Sequence, residues 1–108
     1  MSARVWAGMD AGVDNVVAVA AQQGDETVAE FGHAIRRAGW DQVPWVNGEW
    51  PPFDQIISIR LTAEQWRFIA ADARKGVDDY ESLGDHASAQ LCHDALAVLE
   101  AAGLADES

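Results

Sequence analysis

The sequence predicts a mostly α fold with a minor β element. A C-terminal antiparallel helical hairpin packs with N-terminal helices and a short β segment, in one domain over residues 1–108. Three observations carry this. Thr62 stands three residues before Gln65, the capping-box pattern, ahead of apolar residues at helical spacing. Leu83-Gly84-Asp85 then offers a left-handed stop and a fresh N-cap within three residues. Period-two alternation, by contrast, is confined to Gln55–Leu61. With 108 residues, 49% of them apolar, the chain suits one packed core and is short for two.

In the N-terminal region, residues 1–39, Trp6, Met9, Val13, Val16, Val17 and Ala20 fall on one helix face, with Gly24 as its stop. Asp25 caps a second helix with Val28, Phe31, Ile35 and Ala38 inside and Gly39 at its end. The β-branched run Val16–Ala20 also suits a strand, so helix versus strand stays open over residues 5–22.

Residues 40–61 form a Trp/Pro-rich segment and a strand candidate. Ile57, Ile59 and Leu61 alternate with Ser58 and Arg60. A strand needs a partner, and three are available: residues 43–50, where Asn47-Gly48 is a strong hairpin signal; the N-terminus near Arg4 to Ala7; or a second copy, giving a homodimer.

Residues 62–103 are the helical hairpin. Leu61 and Trp66 suit a hydrophobic staple. Trp66, Ile69, Ala70, Ala73, Val77 and Tyr80 form the first stripe; Leu91, Cys92, Ala95, Leu96 and Leu99 form the second, which Gly103 ends. A joint so short makes the two helices antiparallel. The tail from Leu104 to Ser108 is expected to fray. No internal repeat is evident.

Charge narrows the function. Eighteen acidic against seven basic residues give −11. That disfavours direct binding to nucleic-acid phosphate or to an anionic membrane, and favours a basic protein partner. No run of 18 apolar residues is present and no basic region leads into an apolar one, so neither a membrane span nor a signal peptide is expected. A cytoplasmic location is expected, in a host bacterial cell if the composition bias that follows is a guide to source. Lys75 is the sole lysine and alanine is frequent, as a GC-rich coding sequence would give.

Two groups of residues are candidate partner-binding sites. The first is Trp40, Trp45, Trp50 and Phe53, in a segment holding three of the five tryptophans and all three prolines. Tryptophan offers contact area with few rotamers, and proline stiffens the loop that presents it. The same residues could equally fold down over the core, and solvent exposure separates the two readings. The second is Asp78, Asp79, Glu81 and Asp85 around the hairpin turn, suited to receiving a divalent cation, to steering a basic partner, or simply to a solvated helix end. Their spacing does not match a calcium loop. The three histidines and Cys92 show no CxxC, HxxxH or HExxH spacing, and no glycine-rich phosphate loop is present, so no metal, cofactor or catalytic residue is expected. Cys92 lies on an apolar stripe, where a free cysteine acts as a small hydrophobe.

Two resemblances add to this. Val5-Trp6-Ala7-Gly8-Met9-Asp10-Ala11-Gly12 through Ala20, with Gly24 and Glu30-Phe31, resembles the opening β-hairpin of the RNase H-like superfamily. There a strand-borne aspartate at the place of Asp10 binds metal, which would imply metal-dependent chemistry. Ile59-Arg60-Leu61-Thr62-Ala63-Glu64-Gln65-Trp66, with Asp78-Asp79-Tyr80 and Leu83-Gly84-Asp85, is similar to small uncharacterised accessory proteins of actinobacterial phages. That implies a phage or prophage protein binding a host factor and supplies no site residues. The function expected is therefore a non-catalytic acidic protein-binding module. The alternatives are an acidic nucleic-acid mimic that inhibits a DNA-binding protein, a structural phage component, and an RNase H-like metal-dependent fragment.

Overall fold

The computed structural model describes residues 1–104 and is mostly helical. The order is α1 (Ala3–Gln22), α2 (Glu26–Gln42), α3 (Ala63–Ser82) and α4 (His86–Ala101). The chain divides into two compact units, Met1–Leu61 and Thr62 onward. Each is built on one helical hairpin: α1 packs on α2 in the first and α3 on α4 in the second. The expected fraying of the tail falls mainly on residues 105–108, outside the described residues.

The open region 5–22 is helical. Ser2 caps α1, its Oγ accepting from Val5 N at 3.2 Å. Two more N–H groups of the first turn are taken by the segment before α3, Ala3 donating to Gln55 O at 2.8 Å and Arg4 to Phe53 O at 3.1 Å, and Trp6 makes the first intrahelical bond, to Ser2 O at 3.2 Å. Trp6, Met9, Val13, Val17 and Ala20 are buried on one face. This overturns the hairpin implied by the RNase H-like resemblance, because Asp10 lies within a continuous helix.

The α2 helix does not stop at Gly39 but runs to Gln42, which puts Trp40 in its last turn. Gly39 is there for closeness. A β-carbon at 39 would overlap the ring of Trp6, which is fully buried against it.

The strand expected over Gln55–Leu61 does not form. Among the described residues only isolated antiparallel bridges occur, Ser2 with Ile56 and Val46 with Glu49. The alternation is real, with Ile57 buried and Ile56 72% exposed. What is missing is a neighbour. Met1 N and O pair with Ile57 O and N at 3.0 and 2.7 Å, and the chain then turns into α1. Farther along, the Gln42 carboxamide takes over: its Oε1 accepts from Arg60 N at 2.6 Å and its Nε2 donates to Arg60 O at 2.7 Å. Asn47-Gly48 does turn the chain, with φ of 52° and 78° and the Val46–Glu49 pair closed in both directions. That turn stands alone.

In the second unit the capping box at Thr62 and Gln65 is complete. Gly84 takes φ of 75° and Asp85 caps α4, accepting from Ser88 N at 3.1 Å. Trp66, Ile69, Ala70 and Ala73 are buried as expected; on α4 Ala89, Ala95 and Leu99 are buried while Leu91 is 41% exposed.

The two hairpins repeat each other at a spacing of 60 residues, a relation the sequence reading missed. The N-caps Ser2 and Thr62, the helix starts Ala3 and Ala63, the glycines Gly24 and Gly84 and the caps Asp25 and Asp85 all correspond. Both first helices have 20 residues. The two glycines have φ of 74° and 75°, and the two Asp caps differ by a few degrees in φ and ψ. Trp6 and Trp66, Val17 and Val77, Ala29 and Ala89, and His33 and His93 are identical at the same spacing.

Two glycines of the same helix-bearing unit should respond to alanine with opposite signs. At Gly8 a β-carbon meets open space, so Gly8→Ala gains helix propensity and stabilises by about 0.5–1 kcal/mol. At Gly39 that gain is outweighed by the collision with Trp6, and Gly39→Ala destabilises by about 2 kcal/mol. Denaturant midpoints of the full chain measure both.

Candidate functional site

The aromatic segment gives the clearest site. Trp40 ends α2, and the chain then passes Val43 and the Asn47-Gly48 turn before returning through Trp50. The three tryptophans touch in series. Trp40 and Trp45 meet edge to face, with ring centroids 5.9 Å apart at 71°; Trp45 and Trp50 lie 4.7 Å apart at 52°. Trp45 Nε1 donates to Trp40 O at 2.8 Å, which ties the loop to the helix end. Val43 and Pro51 are buried and anchor the segment at both sides.

The rings do not fold wholly into the core. Trp40 is 46% and Trp45 36% exposed, and Phe53 is 56% exposed. Trp50 is half-buried. The structure thus brings Trp40, Trp45 and Trp50 into one ridge, with Phe53 exposed in the same segment.

Beneath Trp40 is a polar network that the sequence reading did not assign. Asp10 is the one buried charged residue among the described residues. Its Oδ1 accepts from Arg36 Nε at 3.0 Å and from Trp40 Nε1 at 3.1 Å, and its Oδ2 faces Arg36 Nη2 at 3.4 Å. Arg36 Nη1 also donates to Asp14 at 2.9 Å. Asp10 and Asp14 are four apart on α1, and Arg36 and Trp40 are four apart on α2, so each pair shares a helix face. The Arg36 guanidinium lies over the Trp40 ring, 5.2 Å from its centroid. The hydrogen bond to Asp10 holds the Arg36 pKa above its ordinary value. One signal was legible: a carboxylate at a core position between Met9 and Val13 needs a partner. Beside the network is a shallow groove of about 180 Å³ lined by His33, Arg36, Arg37 and Trp40.

The acidic turn is arranged differently. Asp78, Asp79, Glu81 and Asp85 are all exposed, and each of the last three has a local task. Asp79 faces Lys75 at 3.7 Å and Glu81 faces His93 at 3.5 Å. Asp85 takes the backbone and hydroxyl of Ser88, and those hydrogen bonds lower its pKa. Among the described residues no three His, Cys, Asp or Glu side chains cluster as a metal site. Cys92 is free and half-buried, its thiol pushed up in pKa by burial and then by Asp72. It packs where α3 and α4 approach closely, so a β-carbon at Gly76 would lie 2.7 Å from its Sγ.

No helix of the described residues is long and apolar enough to cross a membrane. No protein-family model, curated protein or solved structure matches the chain.

Burial pushes the Asp72 carboxyl up to about 6; Lys75 opposes this and Asp79 adds to it. Between the ordinary carboxylate value and pH 6 the folded chain therefore holds a proton that the unfolded chain releases. Stability from this group is complete below about pH 4 and is lost as pH rises through 6. Asp72→Asn should thus be more stable than the parent at pH 7, by about 1–2 kcal/mol after discounting for partial exposure. The difference should vanish below pH 4. Paired denaturant titrations at the two pH values measure it.

Proposed function

We propose that this chain is a non-catalytic protein-binding module, a phage or prophage accessory protein that occupies the surface of a host bacterial protein in the cytoplasm. The observation that carries the reading is the exposed tryptophan ridge on a braced base. Trp40 and Trp45 remain 46% and 36% exposed although their segment is tied down at Trp40 O, Val43 and Pro51. Large, rigid and partly exposed aromatic side chains are the residues that dominate binding energy at protein interfaces.

The ring geometry favours a protein over a sugar. A sugar stacks on an open ring face. Here the rings stand at 71° and 52° to one another, and the Arg36 guanidinium covers a face of Trp40. Such a ridge suits insertion into a concave pocket of a partner. The net charge of −11 supplies long-range steering toward a basic partner, and the exposed carboxylates at the α3–α4 turn contribute to that field. The choice of a bacterial target follows from the resemblance to actinobacterial phage proteins that the sequence alone suggests at residues 59–66, 78–80 and 83–85.

Capture of partners from the lysate of a high-GC bacterium tests the reading. The immobilised wild-type chain should retain one protein in stoichiometric amount. Trp45→Ala should keep the parent's helical circular dichroism yet weaken retention by about thirtyfold, the loss of one hot spot of about 2 kcal/mol. Equal retention by both chains, or no stoichiometric protein at all, overturns it.

A further inference from the structure

The internal repeat turns the second hairpin into a control for the first. Positions 10, 36 and 40 correspond, at the spacing of 60, to Ala70, Leu96 and Glu100. Ala70 is buried, as Asp10 is. Leu96 is half-buried, as Arg36 is, and Glu100 is exposed, as Trp40 is. The two hairpins have equal first helices, matching glycine conformations and matching Asp caps. A helical hairpin of this design therefore folds without a buried ionic network at these places. Replacing a buried ion pair by apolar residues of fitting shape is often neutral or favourable, because burial strips both charges of water. The first hairpin carries a feature that its own fold does not demand.

What the network touches indicates its use. Of the two helices it joins, it reaches outward through one side chain, Trp40, the first ring of the ridge. Asp10 Oδ1 takes the indole N–H at 3.1 Å, and Arg36, itself forked on Asp10, covers the ring. The indole is thus gripped at its nitrogen and along one face while nearly half of the residue faces solvent. Trp45 meets the Trp40 ring edge to face at 5.9 Å, so fixing the Trp40 ring limits where the Trp45 ring can lie, while the bond from Trp45 Nε1 to the Trp40 carbonyl ties it separately to the helix end.

We propose that Asp10 and Arg36 are positioning residues for partner recognition: they hold Trp40, and through it Trp45, in the binding conformation before the partner arrives. The gain is preorganisation, since an exposed tryptophan that is already fixed loses little rotamer freedom on binding. The proposal rests on the ridge being the recognition surface, yet its first consequence is measurable with no partner present.

The test transplants the second hairpin's residues into the first, as the double variant Asp10→Ala/Arg36→Leu in the full chain. Indole ¹H–¹⁵N spectra, assigned with single Trp→Phe variants, report each tryptophan. The expected result is a parent-like melting transition with a displaced Trp40 indole signal that exchanges with water at least about tenfold faster, as loss of one hydrogen bond to a charged group requires. Asp10→Asn, which keeps an oxygen for the indole, should restore most of that protection, whereas Asp10→Ala should not. An unchanged Trp40 signal in the double variant, identical behaviour of Asp10→Asn and Asp10→Ala, or failure of the double variant to fold each overturns the proposal. These signals are independent of whether Trp45→Ala abolishes capture, so the positioning role and the binding reading can fail separately.

Discussion

Reversal of the chain at a glycine followed by a capping aspartate governs the rest of this molecule. At Gly24 and Gly84 the backbone takes φ near 75°, which a side chain would strain, and the next residue accepts from the N–H three positions on. A joint this short leaves the following helix no course but back along the one before it. Once that pairing is fixed, residues at similar distances from the joint face each other. Asp10 then meets Arg36, and Trp6 reaches Gly39, where a ring lies against bare backbone.

The same constraint explains why two hairpins with one plan differ in content. The joint and the caps fix direction, length and register, and leave interior positions free to exchange volume. Gly39 with Trp6 in one hairpin corresponds to fully buried Leu99 with Trp66 in the other. Close approach is provided by Gly32 beside Val17 in the first and by Gly76 beside Cys92 in the second, with the glycine on opposite helices. Packing of this kind tolerates substitution so long as total volume is conserved. The polar network at Asp10 is a departure of a different sort, since charge and not volume is exchanged.

This division also explains what was legible in the sequence. Caps and stops are local chemistry, so Thr62 with Gln65, Gly84 with Asp85, and Asp25 could be read directly. Apolar spacing identified Trp6, Met9, Val13 and Val17 as a helix face, but the β-branched run left strand open because propensity is weak without knowledge of packing. Gly39 was misplaced as a stop because glycine serves equally for positive φ and for closeness, and only the position of Trp6 distinguishes the two. At Gln55–Leu61 period two revealed which side chains face inward. It did not reveal that the backbone partner would be a short N-terminal stub and the amide of Gln42. The repeat escaped because it resides in caps, helix lengths and a few scattered identities such as Trp6 with Trp66 and His33 with His93, while most paired positions differ. Of the candidate site, the tryptophan segment was readable by composition. Its exposure and its Asp10–Arg36 support depend on residues brought together from 26 positions apart, beyond the reach of any local pattern.

An exposed aromatic ridge is a liability for a chain of this size, because contiguous apolar surface invites association. Two features offset it. The chain's −11 charge makes copies repel one another, which opposes contact between two such surfaces. The ridge is also firmly held: the indole nitrogens of Trp40 and Trp45 are both engaged, and Arg36 shields a ring face that would otherwise lie open to water. A loosely held aromatic loop would sample many shapes and adhere to many surfaces, whereas a fixed one fits few. Charge that disfavours self-contact and bracing that narrows the set of complementary surfaces act in the same direction, against indiscriminate association.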